Sequence, residues 1–290
     1  MIDVLIGGIL ALVMFSIGLS LQVTDFKRLF ARPSMLGLGL FLQLMLLPII
    51  AFLVSYVLQL PPAFATGVVI LAACPGGLTS NFISYLLRAN TALAVSLTIC
   101  NTTLSLLTVP LIVNLALDTF WTGGGVDNLP FLPTAGRIFL MVLVPVFCGM
   151  FFRARRQVLA LLLQRWLRWV SIVLLGVLFS LKLLAPASAG GSNLLMDEVW
   201  IILPASVLVN FLALGSGQFF GRLFGFGRNA RITLGVEAGI QNTNLAFLIT
   251  STLLNNEQML KPALVYAMFT FITALAYGLL LKPGAVRNML

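Results

Sequence analysis

Apolar runs long enough to cross a bilayer recur along the whole chain, at about 4–23, 34–58, 63–86, 91–117, 134–152, 166–186, 199–221, 230–254 and 262–282. Each is close to the ~20 residues that span a hydrocarbon core. Lipid offers no partners to the backbone, so such runs must be helical. The chain is therefore read as an all-α polytopic membrane protein with nine transmembrane helices. Residues 1–290 form a single transmembrane unit, because 60% of them are hydrophobic and only 9% charged, where a soluble domain carries about 25% charged residues.

The net charge of +9 could suggest nucleic acid, but its distribution excludes that reading. Fourteen of the seventeen basic residues fall in alternate loops or at the C-terminus, from Lys27, Arg28 and Arg32 through Arg88, Arg153, Arg155, Arg156, Arg165, Arg168, Arg222, Arg228 and Arg231 to Lys282 and Arg287. The intervening loops hold Asp118, Asp127, Asp197, Glu198 and Glu257, with only Arg137, Lys182 and Lys261 as basic residues on that side. Positive charge marks the cytoplasmic side. The C-terminus is thus expected in the cytoplasm and the N-terminus outside, in a bacterial inner membrane, with the first span retained as a helix.

The chain has no histidine, which removes His-based proton relays, His-ligated metals and Ser-His triads. Cys74, Cys100 and Cys148 all fall within spans, without metal-ligand spacing. One acid, Glu237, lies inside an apolar run, in Gly235-Val-Glu-Ala-Gly-Ile-Gln-Asn-Thr-Asn244. A carboxylate at a helix centre costs roughly 2.5–3.5 kcal/mol on insertion scales, and such a residue marks an ion or solute site. A nucleophile-base pair or paired acids are lacking, so the chain is not read as an enzyme.

Two spans carry breaks. The third contains Ala72-Ala-Cys-Pro-Gly-Gly-Leu-Thr-Ser-Asn81, where Pro75 cannot continue a helix and paired glycines permit a sharp turn. The eighth is interrupted around Gly235–Asn244. The two are five spans apart and so run in opposite directions. Interrupted spans at matching places in inverted halves point to a secondary-transporter binding site. Ser80, Asn81, Thr98, Glu237, Gln241 and Asn242, with Gln43 in the second span, offer oxygens suited to a hard cation. The bland readings are a proline kink, an amide joining two helices at Gln43, and hydroxyls that bond their own backbone at Thr98, Thr102, Thr103 and Ser105. Asn101 and Asn210 are read as helix contacts.

Pro75-Gly-Gly-Leu-Thr-Ser-Asn81, Ala92-Leu-Ala-Val-Ser-Leu-Thr98 and Glu237-Ala-Gly-Ile-Gln-Asn242 together resemble the bile acid:sodium symporter family, and Gln43 and Pro48 fit its second span. The resemblance covers almost the whole chain and is to a bacterial, nine-helix form. It implies a core domain (spans within 34–117 and 199–282) whose third and eighth spans cross at their breaks, and a panel domain (spans within 4–23 and 134–186). It implies two Na⁺ sites: the first from Ser80, Asn81, Thr98 and Glu237, the second from Gln43, Glu237, Ala238, Ile240 and Gln241. Where the family often has a serine ligand, this chain has Ala94, which leaves the first site one side-chain oxygen short. Substrate contacts are expected at Gly77, Leu78, Thr79, Asn242 and Thr243. The implied solute is a small organic anion of the bile acid, pantoate or oxo-acid class. A sodium-coupled importer follows, with a proton-coupled or uncoupled carrier of the same fold as the alternative and a membrane-embedded enzyme as a remote one.

Overall fold

The protein is seen in a computed structural model that describes residues 2–21, 33–121, 129–184 and 191–282. Lys27, Arg28, Arg32, Asp127 and Arg287 lie outside the described residues. Among the described residues there is no strand. The helices are α1 (Ile2–Ser20), α2 (Pro33–Val57), α3 (Pro62–Ala73), α4 (Leu78–Leu86), α5 (Thr91–Phe120), α6 (Phe131–Arg155), α7 (Gln157–Leu184), α8 (Met196–Leu223), α9 (Arg228–Gly239), α10 (243–253) and α11 (Glu257–Leu281).

Six of these, α2, α5, α6, α7, α8 and α11, are long and apolar enough to cross a membrane. The other three apolar runs are the first, which forms α1 (Ile2–Ser20), and the two that contain the breaks. An interruption divides each of these two runs into a pair of shorter helices, α3 with α4 and α9 with α10, each too short to qualify alone. Outward-facing Leu53, Leu111, Leu140, Leu162, Phe211 and Ile272 are exposed, as lipid-facing side chains are.

Two helix groups pack internally. In one, α1 lies along α6 and α7. Gly18 of α1 faces the Val146 carbonyl and Gly149 of α6, and Gly149 faces the Phe15 carbonyl. Two side-chain-free positions let these backbones touch, the close approach that small residues allow in lipid. In the other, α2, α3, α5, α8, α9 and α11 pack around one another and hold α4 and α10. The groups meet where α1 touches α10, α7 touches α11, and α5 touches the start of α6.

Prolines set local geometry inside two long helices. Pro48 and Pro145 cannot donate to the preceding turn and crowd it. Each follows a π-helical turn, Leu42–Leu46 and Phe139–Leu143, in which the closing amide reaches five residues back: Leu47 to the Leu42 carbonyl, and Val144 to that of Phe139. The first of these turns carries Gln43 and buries it.

Candidate functional site

The two interruptions meet. Helix α3 ends at Cys74, whose backbone is extended (φ −93°, ψ 98°), and α4 starts after Gly77. Helix α9 continues through Gly235 and Gly239 and ends at Ile240, also extended (φ −113°, ψ 121°). The second break is thus 240–242, narrower than the Gly235–Asn244 read from sequence. The Asn242 amide donates to the Cys74 carbonyl at 3.1 Å. Gly76 lies so close to the Ile240 carbonyl that a Cβ would overlap it. Asn242 caps α10, its side chain accepting from the Leu245 amide at 3.1 Å.

Around this junction the polar side chains converge. The Asn81 amide donates to the Thr98 hydroxyl at 3.0 Å, and Thr98 in turn reaches Glu237 Oε2 at a long 3.5 Å. The Ser80 hydroxyl also approaches the Glu237 carboxylate and donates to the Gly77 carbonyl at 2.9 Å. On the other side of Glu237, Gln43 Nε2 donates to Gln241 Oε1 at 2.8 Å. Gln241 Nε2 donates to the Ala238 carbonyl at 2.7 Å. Glu237 is only 3% exposed and Gln43 2%.

This cluster leaves three buried oxygens without a partner: Gln43 Oε1, Asn81 Oδ1 and Glu237 Oε1. An unsatisfied buried polar atom costs about 1–3 kcal/mol, and more when charged. Two ion pairs among the described residues, Lys182–Glu257 and Lys261–Glu198, do not include Glu237. The donor set is therefore rich in oxygen, carries one negative charge and lacks a positive one. That composition suits a hard monovalent cation and gives a transition metal nothing soft to bind; no group of three or more His, Cys, Asp or Glu is found among the described residues. Ala94 is fully buried and contributes no side-chain oxygen.

A cavity of about 370 Å³ adjoins the junction, between the two helix groups. Gly77, Thr79, Gln241, Asn242, Thr243 and Asn244 form its polar wall, and Val13, Met14, Ile17, Gly176, Phe179 and Met268 line most of the rest. Of the expected substrate contacts, Gly77, Thr79, Asn242 and Thr243 line it, while the Leu78 side chain is outside the described residues. The apolar wall was not legible in sequence. A valine or methionine facing a cleft and one facing lipid look alike in a helix that is apolar all round. Asn210, read as a plain helix contact, supports the junction: it donates to the Gly239 carbonyl at 2.8 Å, as does the Tyr266 hydroxyl, also at 2.8 Å.

Fold and site together define a polytopic helical membrane protein with a buried oxygen cage beside an inter-helical cleft. Comparison with known proteins narrows the class. The sodium bile acid symporter family matches residues 8–192. An uncharacterized sodium-dependent transporter of Bacillus subtilis is 31% identical over 81% of this chain and 70% of its own length. The ileal sodium/bile acid cotransporter of Homo sapiens is 28% identical over 90% and 74%. A probable chloroplastic sodium/metabolite cotransporter of Arabidopsis thaliana is 28% identical over 88% of this chain, which spans 61% of that relative. The chain belongs to the sodium bile acid symporter family, whose members are transporters and not enzymes.

Proposed function

We propose that this chain is a sodium-coupled symporter that imports a small organic anion by alternating access. The observation that carries the reading is the set of three buried, unpartnered oxygens at Gln43, Asn81 and Glu237 where two interrupted helices meet. One Na⁺ is held by Ser80, Asn81, Thr98 and Glu237. A second is held by Gln43, Glu237, Gln241 and the carbonyls of Ala238 and Ile240. Glu237, shared between them, offsets both charges. The ions are co-transported substrates, and their binding energy favours the junction geometry in which the anion is bound.

The anion lies in the cleft, against Gly77, Thr79, Asn242 and Thr243, with its apolar part on Met14, Phe179 and Met268. Its class is that of the bile acids, pantoate or small oxo acids. In this reading nine spans form two inverted repeats. The α1–α6–α7 group is the panel, and the group containing the junction is the core that rocks against it. The basic side faces the cytoplasm of a bacterial cell, the C-terminus with it and the N-terminus outside.

Uptake of labelled anion, tested across that class in proteoliposomes, decides the matter: an inward sodium gradient accelerates uptake, and equal uptake with choline in place of sodium overturns the reading. The missing hydroxyl at Ala94 favours one competitor, a carrier in which Glu237 takes a proton. Uptake driven by a pH gradient without sodium identifies it.

A further inference from the structure

Two lysines among the described residues are buried, and they differ in what they join. Lys261, 2% exposed, bonds Glu198 at 2.6 and 2.7 Å. Both belong to helices of one group, α11 and α8. Lys182 is 1% exposed and lies on α7, at the end remote from Arg165. Its ammonium reaches Glu257 Oε1 at 2.9 Å, Glu257 Oε2 at 3.1 Å and Ser251 Oγ at 3.3 Å. Every one of these contacts crosses from the α1–α6–α7 group to the group holding the junction.

Its position relative to the cleft follows from helical spacing. Gly176 and Phe179 line the cavity, and Lys182 is three residues further on, on the same face. It therefore lies one helical turn beyond Phe179, where its bonds to Glu257 and Ser251 tie the two groups together just past the lining. Toward the arginine-rich end a second cavity of about 320 Å³ lies along the seam, lined by Ser20, Asn81, Tyr85, Thr91 and Gln164.

We infer that the Lys182–Glu257 pair is a latch that holds the outer end of the cleft shut and breaks each time the cleft opens to that side. The inference rests on the alternating-access reading above. The burial of the two partners is unequal, 1% against 41% exposed. Parting them wets the lysine far more than the glutamate. Removing Glu257 strands the Lys182 charge in the closed state and leaves it solvated in the open one, so the population moves toward open.

Gly176→Cys provides the reporter, because the space around its Cβ is clear. Cys100→Ser and Cys148→Ser remove the partly buried and exposed native thiols, and Cys74 is buried. Intact cells are treated with a membrane-impermeant maleimide, which meets the thiol introduced at position 176 only through the outer side. Glu257→Gln is expected to raise the labelling rate on the order of tenfold. Lys182→Met/Glu257→Gln, which strands no charge, is expected to label more slowly than Glu257→Gln. Glu198→Gln, which weakens the pair inside one group, is expected to leave labelling at the parent rate. An unchanged rate in Glu257→Gln, a double variant as fast as the single, or an equal acceleration in Glu198→Gln overturns the latch. Labelling requires neither sodium nor solute, so such a result leaves the uptake assay to judge the transport reading separately.

Discussion

Replacing Glu237 by glutamine is expected to invert an order of stability. The side chain keeps its size and its acceptor toward Thr98, but the charge is gone. In sodium-free choline buffer, wild type holds a carboxylate that is 3% exposed, with Oε1 unpartnered. Removing a buried charge that lacks a counter-charge relieves its desolvation cost. Glu237→Gln is therefore expected to be at least as stable as wild type there. With sodium the order is expected to reverse. Saturation at 100 times Kd stabilises wild type by about 2.7 kcal/mol. A charged ligand contributes about 1.5–3 kcal/mol, so its loss weakens sodium binding about 10- to 150-fold. A 100-fold loss at the same concentration leaves about 0.4 kcal/mol of stabilisation. In a Cys100→Ser/Cys148→Ser background, thermal unfolding followed with a thiol-reactive dye reads this directly, since the remaining Cys74 is buried until the helices part. Equal sodium shifts in both proteins, or a variant that melts well below wild type in choline, refutes the reasoning.

Ala94→Ser supplies a hydroxyl one helical turn before Thr98 and is expected to tighten sodium binding about tenfold, near the net worth of one good hydrogen bond; an unaltered sodium titration of thermal stability counts against the first cation site. Gly76→Ala drives a methyl into the Ile240 carbonyl and to 3.2 Å from Ser80 Oγ. It is expected to cost about 1–3 kcal/mol by overpacking and to abolish sodium-driven uptake, and retained uptake argues that the junction is not the working part. Glu198→Gln leaves Lys261 buried with a neutral partner. Its thermal midpoint is expected to fall by the equivalent of about 1–3 kcal/mol, and a midpoint equal to wild type shows that this pair is idle.

What was legible in the sequence was whatever lipid forbids. Apolar runs had to be helices, Pro75 with two glycines had to break one, and Glu237 stood out as the acid inside an apolar run, which the structure buries. What was not legible depends on the direction a side chain takes. Gln43 meets Gln241 because a π-helical turn ahead of Pro48 rotates it there, and residue spacing assumes a regular helix. Gly235 reads as an interruption yet sits inside α9, where its bareness admits Tyr277 and the Leu214 carbonyl. Lys182 and Lys261 count as loop charges on the acidic side, but both are buried against glutamates. A clue existed for Lys182, which lies within the apolar run 166–186.

The bond between the Asn242 amide and the Cys74 carbonyl uses main-chain atoms alone. Any residue but proline at 242, and any residue at 74, can supply it. The clasp between the two interrupted helices is thus insulated from changes in the lining, and the cleft can be re-lined without dismantling the contact that ties those helices together.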